Sequence, residues 1–329
     1  MKTVNEILSL LAGRDTRDKL TGVVFFPGED TVLALKKAAS LLPVEFVIYA
    51  SASTVQEIET QLGNACHEFG QTKDPVRELS QCLLGKRSTG KASGDFGPCH
   101  FVVRGDFLSL DDAYQAISLV GSGQDIPGAA SEVSPAGPKP ERLFLSHVAL
   151  LEAAALARVL VMSDGFVNPR PDIRTRLAII DNCLSVCKAI GISAPRVALL
   201  AAVEQVYPGM PVTVESAEIA NICKAGKTTR AHVDGPLSFD VALVEQVAKE
   251  KGATGEVAGN ADVLVGSSIE VINGIYMAQT VLAGANAASV VVGGKAPLAL
   301  PFPSDCVDNI FFSICLACLL SSHDLPSVA

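Results

Sequence analysis

Short β-branched and aromatic runs alternate along this chain with longer stretches whose apolar positions recur at helical spacing. After a short helix expected over Val4 to Leu11, Gly22 to Phe26 reads as a strand closed by Pro27-Gly28. Thr31 to Leu42 has an Ala/Leu face and reads as a helix, Val44 to Tyr49 as a second strand and Val55 to Leu62 as another helix. This βαβα rhythm favours parallel strands joined by right-handed crossovers. Lys86 to Pro98, rich in Gly, Ser and Lys, reads as loop, and Cys99 to Val103 as a strand entering Arg104-Gly105. Gly121 to Pro140 is dense in Gly, Ser, Pro and Ala and is the best position for a domain boundary.

Beyond that stretch the alternation resumes. Strands are expected at Arg158 to Met162, Arg196 to Ala201, Ala231 to Gly235 and Ala261 to Val265; helices at Asp172 to Ile190, Glu215 to Lys224, Asp240 to Lys251 and Ile269 to Leu282. Ala288 to Val292 is a further β-branched run, broken by Gly293-Gly294, and Lys295 to Pro303 leaves it without helix. A capped helix then starts at Ser304-Asp305, either of which can serve as N-cap, with Asp308 where a capping-box acid would stand. In an open α/β sheet, ligands collect beyond the carboxyl ends of strands, where N–H groups and helix N-termini gather, so a polar, anionic substrate is expected after Val292. No heptad or solenoid-length repeat is present.

With 329 residues, the chain suits two domains of about 100–200 residues each. Hydrophobic residues make up 49%, aromatics only 5%, and Trp is absent, which points to a core of Ala, Val, Leu and Ile typical of covered parallel sheets. A net charge of -9 argues against a nucleic-acid or anionic-membrane surface. Nine cysteines in a chain of this length do not form a secreted disulfide framework, no signal peptide precedes them, and no apolar run reaches the roughly 18 residues of a membrane span. A soluble cytoplasmic protein is expected.

Arg104, ending a strand, can grip phosphate bidentately or lie on the surface as an ordinary Arg. His147 is read as a hydrogen-bonded structural residue rather than a base. Asp234, before Gly235-Pro236, either lines a ligand site or caps the segment after it, and its place at a strand end favours the former. Cys183 and Cys187, and Cys315 and Cys318, sit in apolar helices without His partners and read as core thiols.

Six motifs then stand in order: Arg142-Leu-Phe-Leu-Ser-His147, Ser163-Asp-Gly-Phe-Val-Asn-Pro169, Val197-Ala-Leu-Leu-Ala-Ala-Val-Glu204, Val233-Asp-Gly-Pro236, Ala258-Gly-Asn-Ala-Asp262 and Gly293-Gly-Lys-Ala-Pro297. Together they resemble the phosphate acetyltransferase and phosphate butyryltransferase family, most of all its butyryl branch. The resemblance implies a two-domain α/β/α fold of the isocitrate/isopropylmalate-dehydrogenase-like type with its site in the cleft between domains. The first domain would comprise 1–142 plus 300–329, the second 143–299. It also implies reversible transfer of a short acyl group (acetyl, propionyl or butyryl) between coenzyme A and inorganic phosphate, by direct thiolate attack on the acyl phosphate. Coenzyme A is then a substrate; no permanently bound cofactor and no metal is expected.

Carried over by position, Arg104 and Lys295 become phosphate-binding candidates, and Asp234, Glu270 and Asn273 candidates for the coenzyme A side, the last two lying three apart on one helical face. Where the butyryl branch has a Ser-Arg pair after Ala-Pro, this chain has Phe302 and Pro303, and Gln115 stands near a position where the family has an Arg. Ser304, one or two positions late, with Asp305 and Asp308, are the candidate catalytic residues left on that segment. The departures leave a second reading: a catalytically impaired member that binds coenzyme A or an acyl metabolite as a regulatory or structural subunit. Relatives associate through the second domain, so a homodimer is expected, with no nucleic-acid or membrane partner.

Overall fold

The computed structural model describes residues 3–12, 20–70, 72, 74–88, 96–122, 143–152, 155–156, 158–226 and 231–321. The chain divides into two compact units. The first comprises Ile7–Leu145 and Ala288–Ala329, the second Met1–Glu6 and Ser146–Ala287. Most of the expected boundary stretch, 123–140, lies outside the described residues.

The first unit begins in α1 (Glu6–Ala12) and runs through β1 (Leu20–Phe25), α2 (Glu29–Leu41), β2 (Val44–Tyr49), α3 (Ala52–Leu62), β3 (Cys66–Gly70) and α4 (Pro75–Leu83). A small hairpin follows, β4 (Lys86–Ser88) against β5 (Phe96–Pro98), where the composition reads only as loop. Next come β6 (Phe101–Arg104) and α5 (Leu110–Ser122). Neither α4 nor α5 was expected from the apolar pattern, although α4 carries a cap signal: Asp74 accepts from the Arg77 amide at 3.0 Å and Pro75 fills the first position.

The second unit holds β7 (Ser146–Glu152), β8 (Val159–Ser163), α6 (Ile173–Ala189), β9 (Arg196–Leu200), α7 (Pro211–Ala225), β10 (His232–Leu237), α8 (Phe239–Leu243), α9 (Glu245–Glu250), β11 (Val263–Val265) and α10 (Ile269–Met277). The helix expected over Asp240 to Lys251 is broken at Val244, which has extended backbone and ends α8. The segment Ile269 to Leu282 is α-helical only to Met277 and continues as a π turn over Ala278–Leu282. Here β10, β9, β11 and β8 lie side by side and parallel, and β7 pairs antiparallel to β8.

The chain re-enters the first unit along β12 (Asn286–Val292), then β13 (Leu298–Ala299) and α11 (Val307–Ser321). The strand order in that unit is β12-β13-β6-β1-β2-β3, all parallel except β12, which pairs antiparallel with β13. From β1 the chain winds outward through β2 to β3 and then returns to β6 on the other side of β1. With right-handed crossovers, α2 and α4 therefore cover opposite faces. α11 packs against α2, and α5 against α4. The side chains of α11 are buried from Asn309 to Leu320, and its helix is apolar nearly all round as such burial requires. Among the described residues no helix is long and apolar enough to cross a membrane.

Candidate functional site

In the first unit the order of strands reverses at the β1/β6 boundary, and ligands in open α/β sheets collect outside the carboxyl ends of strands at such a switch point. Two chain segments meet there. Phe26 leaves β1 with φ 51, a left-handed conformation for a bulky residue, and Pro27-Gly28 start α2. Arg104-Gly105-Asp106 leave β6 alongside: the Gly105 amide donates to the Phe25 carbonyl at 2.8 Å and the Phe107 amide to the Phe26 carbonyl at 3.0 Å. A Cβ on Gly105 would stand 2.5 Å from both the Phe25 and the Phe26 carbonyl oxygens, so only glycine permits this approach.

The approach delivers Asp106 to the first turn of α2, where its Oδ2 accepts from the Gly28 amide at 2.8 Å and the Thr31 amide at 3.1 Å. A carboxylate from another loop thus occupies the orphan donors of a helix N-terminus. Arg104 is only 4% exposed and donates from Nη1 to the Pro301 carbonyl at 2.9 Å, while its buried Nε has no hydrogen-bond partner. Burial pulls its pKa below the ordinary guanidinium value, and the carboxylates of Asp106 and Asp305 oppose that pull.

Asp305 is buried, and its Oδ2 accepts from the Phe302 amide at 2.8 Å. The last helix begins at Val307, two residues after Asp305. Ser304 is exposed beside it. Asp308 lies in the first turn of α11 and pairs with Lys37 Nζ at 2.7 Å, which also sits 4.4 Å above the Phe311 ring. Phe302 and Pro303 occupy the positions where a Ser-Arg pair was expected, Phe302 buried and Pro303 exposed, and Gln115 is exposed on α5.

Lys295 does not join Arg104. β13 runs parallel to β6 with Leu298 beside Val102 and Ala299 beside Val103, so Pro301 continues toward Arg104 while Lys295 precedes the opposite, amino end. There its amide donates to the Leu83 carbonyl at 2.8 Å, and its side chain is exposed. The antiparallel course of β12 is the reason: the carboxyl end of that strand lies at the amino end of its parallel neighbours. The carboxyl end of β12, beyond which a ligand was expected, therefore does not lie beside the carboxyl ends of β13 and β6.

In the second unit, the carboxyl ends of the parallel strands carry two polar clusters. Asp164, after β8, is buried and accepts from the amides of Phe166 (2.9 Å) and Val167 (2.8 Å) and from Asn168 Nδ2 (2.6 Å). Burial raises its pKa against the lowering effect of those bonds. The Gly165 amide donates to His147 Nδ1 at 3.3 Å, and Asn273 Nδ2 donates to the Gly165 carbonyl at 3.3 Å, so Asn273 ties α10 to this turn. His147 is buried, and burial lowers its pKa to about 3, the environment of a neutral structural imidazole. Glu270 is exposed at the start of α10; a hydrogen bond from Ser268, with Arg170 nearby, holds its carboxyl below the usual range. Glu204, after β9, accepts from the amide and hydroxyl of Ser238, while Lys251 Nζ stands 3.1 Å from Asp240 and 3.7 Å from Glu204. This second cluster was missed because its four members come from three separate segments.

Asp234 lies elsewhere. β10 continues past it to Leu237, so it does not end the strand, and it is paired with Ala198 of β9, with β11 beyond. It accepts from Lys224 Nζ at 3.0 Å and lines a cavity of about 470 Å³ with Cys223, His232, Thr254, Gly255 and Glu256. His232 Nδ1 is 2.8 Å from Glu256 Oε2 across the same cavity. Two strands, β9 and β11, thus stand between the strand of Asp234 and β8, whose following turn Asn273 contacts. The paired cysteines are packing groups: Cys183, Cys187, Cys315 and Cys318 are buried, and burial pushes the Cys183 thiol up to about 12.

The profile of the family described as phosphate acetyl/butaryl transferase matches residues 130–318, more than half of the chain. The chain belongs to the phosphate acetyl/butyryl transferase family. It is 36% identical over 179 residues to phosphate butyryltransferase of Clostridium acetobutylicum, and 38% identical over 179 residues to a probable phosphate butyryltransferase of Bacillus subtilis. Each match covers 54% of this chain and 60% of the relative. It is also 34% identical over 177 residues to phosphate acetyltransferase of Thermotoga maritima, again over 60% of that protein. The matches therefore span well under two thirds of these relatives. The fold is similar to a branched-chain phosphotransacylase from Enterococcus faecalis, with TM-score 0.68, 23% identity and coverage of 92% of this chain and 99% of that one. It is also similar to a phosphotransacetylase from Streptococcus pyogenes, with TM-score 0.67, 17% identity and coverage of 96% and 97%.

Proposed function

We propose that this member of the phosphate acetyl/butyryl transferase family transfers a short acyl group (acetyl, propionyl or butyryl) reversibly between coenzyme A and inorganic phosphate. The observation that carries the reading is the family match over residues 130–318. In the direction of thioester synthesis, the coenzyme A thiolate attacks the acyl phosphate carbonyl carbon. A C–S bond forms, the C–O bond to phosphorus breaks, and inorganic phosphate leaves. Such a transfer needs aligned reactants, a group that takes the thiol proton, and donors for the phosphoryl oxygens. On the segment after β13, Asp305 is an acid whose charge acts on Arg104, and Asp308 is held by Lys37. Arg104 serves the phosphate, Ser304 offers an exposed hydroxyl, and Asp234, Glu270 and Asn273 are assigned to coenzyme A. Lys295 drops out for the reason given above. The isocitrate-dehydrogenase-like character of the fold belongs to the same proposal.

The second reading, a member that binds coenzyme A or an acyl metabolite without turnover, is favoured by Phe302, Pro303 and Gln115 in place of hydrogen-bonding or cationic groups. Thiol release measured with acetyl-, propionyl- and butyryl-CoA plus phosphate separates the two. Turnover with one of these thioesters supports the transferase; retained coenzyme A binding with no turnover removes it.

A homodimer is part of the proposal. Val271 on α10 and Val281 and Leu282 on the following π turn are 37%, 57% and 83% exposed, apolar side chains that a second copy would cover. Light scattering at micromolar concentration that returns a single monomer mass would reject the dimer.

A further inference from the structure

We propose that Ile272 is a specificity-determining residue, which fills the space beyond the carboxyl ends of β8 and β11 and so confines the acyl group to its shortest form, acetyl. The inference rests on the acyl-transfer reading and deepens it. β8 and β11 are parallel neighbours with Ser163 beside Val265, and each is followed by a buried glycine, Gly165 after Asp164 and Gly266 directly. The Gly266 amide donates to the Ser163 carbonyl at 2.9 Å, so the pairing continues one step past the strand ends. Two glycines at adjoining strand ends leave room where ligands of an open α/β sheet collect.

One side chain takes that room. A Cβ on Gly266 would stand 2.7 Å from Ile272 Cγ1, and a Cβ on Gly165 would stand 3.2 Å from Ile272 Cγ2, so the two branches of Ile272 lie against both glycines. Ile272 is fully buried, yet the chain around the two glycines opens toward solvent: Phe166, Asn168, Ser267 and Ser268 are half-buried, and Glu270 is exposed. Ile272 also lies between Glu270 and Asn273, the two residues of α10 assigned to coenzyme A, and Asn273 donates to the carbonyl of the same Gly165 at 3.3 Å. A thioester held at this turn brings its acyl chain to a space that is already full. Acetyl asks for no room beyond its methyl group, whereas each further methylene must displace Ile272 or stay in water. Burial of a methylene in room that fits it is worth about fourfold in affinity, and the isoleucine withholds that gain from longer chains.

The test is calorimetric titration of the full chain with coenzyme A, acetyl-CoA and butyryl-CoA, in wild type, Ile272→Val, Ile272→Ala, and Ile272→Ala combined with Gly266→Ala. Wild type should bind butyryl-CoA no more tightly than acetyl-CoA. Ile272→Ala removes three carbons, enough for the two extra methylenes of butyryl, and should tighten butyryl-CoA by about tenfold while acetyl-CoA stays within about twofold. Gly266→Ala puts a methyl group back beside the place of Ile272 Cγ1 and should take away most of that gain. Ile179→Ala, at a fully buried position of α6, opens a cavity of the same kind elsewhere and should leave the ratio of the two affinities at the wild-type value. Should Ile272→Ala fail to fold, Ile272→Val removes one carbon and must still shift the ratio toward butyryl-CoA by about fourfold. Unchanged ratios in the folded Ile272 variants overturn the proposal, as does an equal shift in Ile179→Ala, or a wild type that already binds butyryl-CoA about tenfold more tightly than acetyl-CoA. A wild type that binds coenzyme A while the ratios stay fixed removes this proposal alone; a wild type that binds neither coenzyme A nor its thioesters removes the acyl-transfer reading and this proposal with it.

Discussion

Arg104, at the end of β6, donates from Nη1 to the main-chain carbonyl of Pro301 at 2.9 Å, joining residues 197 positions apart in sequence. The bond fixes the course of the segment that carries Ser304 and Asp305 after β13. Hydrogen bonds to charged groups contribute about 1.5–3 kcal/mol, and part of that is offset here by the burial of the cation. Arg104→Ala should therefore lower stability by about 1–2 kcal/mol and weaken phosphate affinity by about tenfold or more, with a smaller effect on coenzyme A. Urea unfolding and calorimetry with each ligand measure the two effects. Equal phosphate affinity in variant and wild type would leave Arg104 a purely structural residue.

Gly105 should tolerate no side chain. A methyl group there would enter the space of two main-chain oxygens, which cannot rotate away as a side chain could. Overpacking of this kind costs about 1–3 kcal/mol, and Gly105→Ala should fall in that range in the urea midpoint while also displacing Asp106 from the α2 amides. A variant as stable as wild type would mean that β1 and β6 can separate at this end without penalty.

The βαβα alternation of the first unit is legible in the chain because β1, β2 and β6 are compact β-branched and aromatic runs bounded by glycine or proline. The direction of β12 is not. Ala288 to Val292 looks like any buried strand, and only its antiparallel pairing with the two-residue β13 shows which end it presents, a long-range fact that reverses the position of Lys295. In the sequence Asp106 is only an acid that follows Arg104-Gly105. That it sits on the α2 amides depends on Gly105 meeting Phe25 and Phe26, a contact between segments some 80 positions apart. His147 reads as a hydrogen-bonded structural residue because it stands alone near a strand, and it is buried with its Nδ1 accepting from the Gly165 amide. Glu204, Ser238, Asp240 and Lys251 carry no shared spacing, so their cluster emerges only from the fold.

His147 makes stability depend on pH below neutrality. Its folded pKa is about 3 against 6.5 for the free side chain, because burial disfavours the imidazolium. Above pH 6.5 the residue is neutral in both states and contributes no slope. As pH falls below that value, the unfolded chain takes up a proton that the folded chain refuses, so stability drops by about 1.4 kcal/mol per pH unit until the folded pKa is reached. His147→Asn keeps an acceptor for the Gly165 amide but cannot titrate. Between pH 7.5 and pH 5, wild type should therefore lose about 2 kcal/mol more than the variant in urea unfolding. Parallel pH profiles would show that His147 is protonated in the folded protein.

Arg176 and Glu215 form an unequal pair that joins α6 to α7. The Arg176 side chain is 1% exposed, whereas that of Glu215 is 42% exposed, and burial lowers the Arg176 pKa with Glu215 opposing. Most of the desolvation cost thus falls on the arginine, and its Nε is also left without a partner. Removing only the carboxylate leaves a buried cation unpaired, while replacing the arginine with an apolar group of similar length removes both the charge and its cost. With half of the pair open to solvent, Glu215→Ala should cost about 1–3 kcal/mol, less than for a fully buried pair. Arg176→Met should cost less than Glu215→Ala, and the double variant should be no worse than Arg176→Met alone. Urea unfolding of the four proteins in a double-mutant cycle measures this ordering. If Arg176→Met proved the more damaging single change, the guanidinium would be stabilising α6 against α7 through its packing and its contact with Ser216, and the burial of its charge would not be the dominant cost.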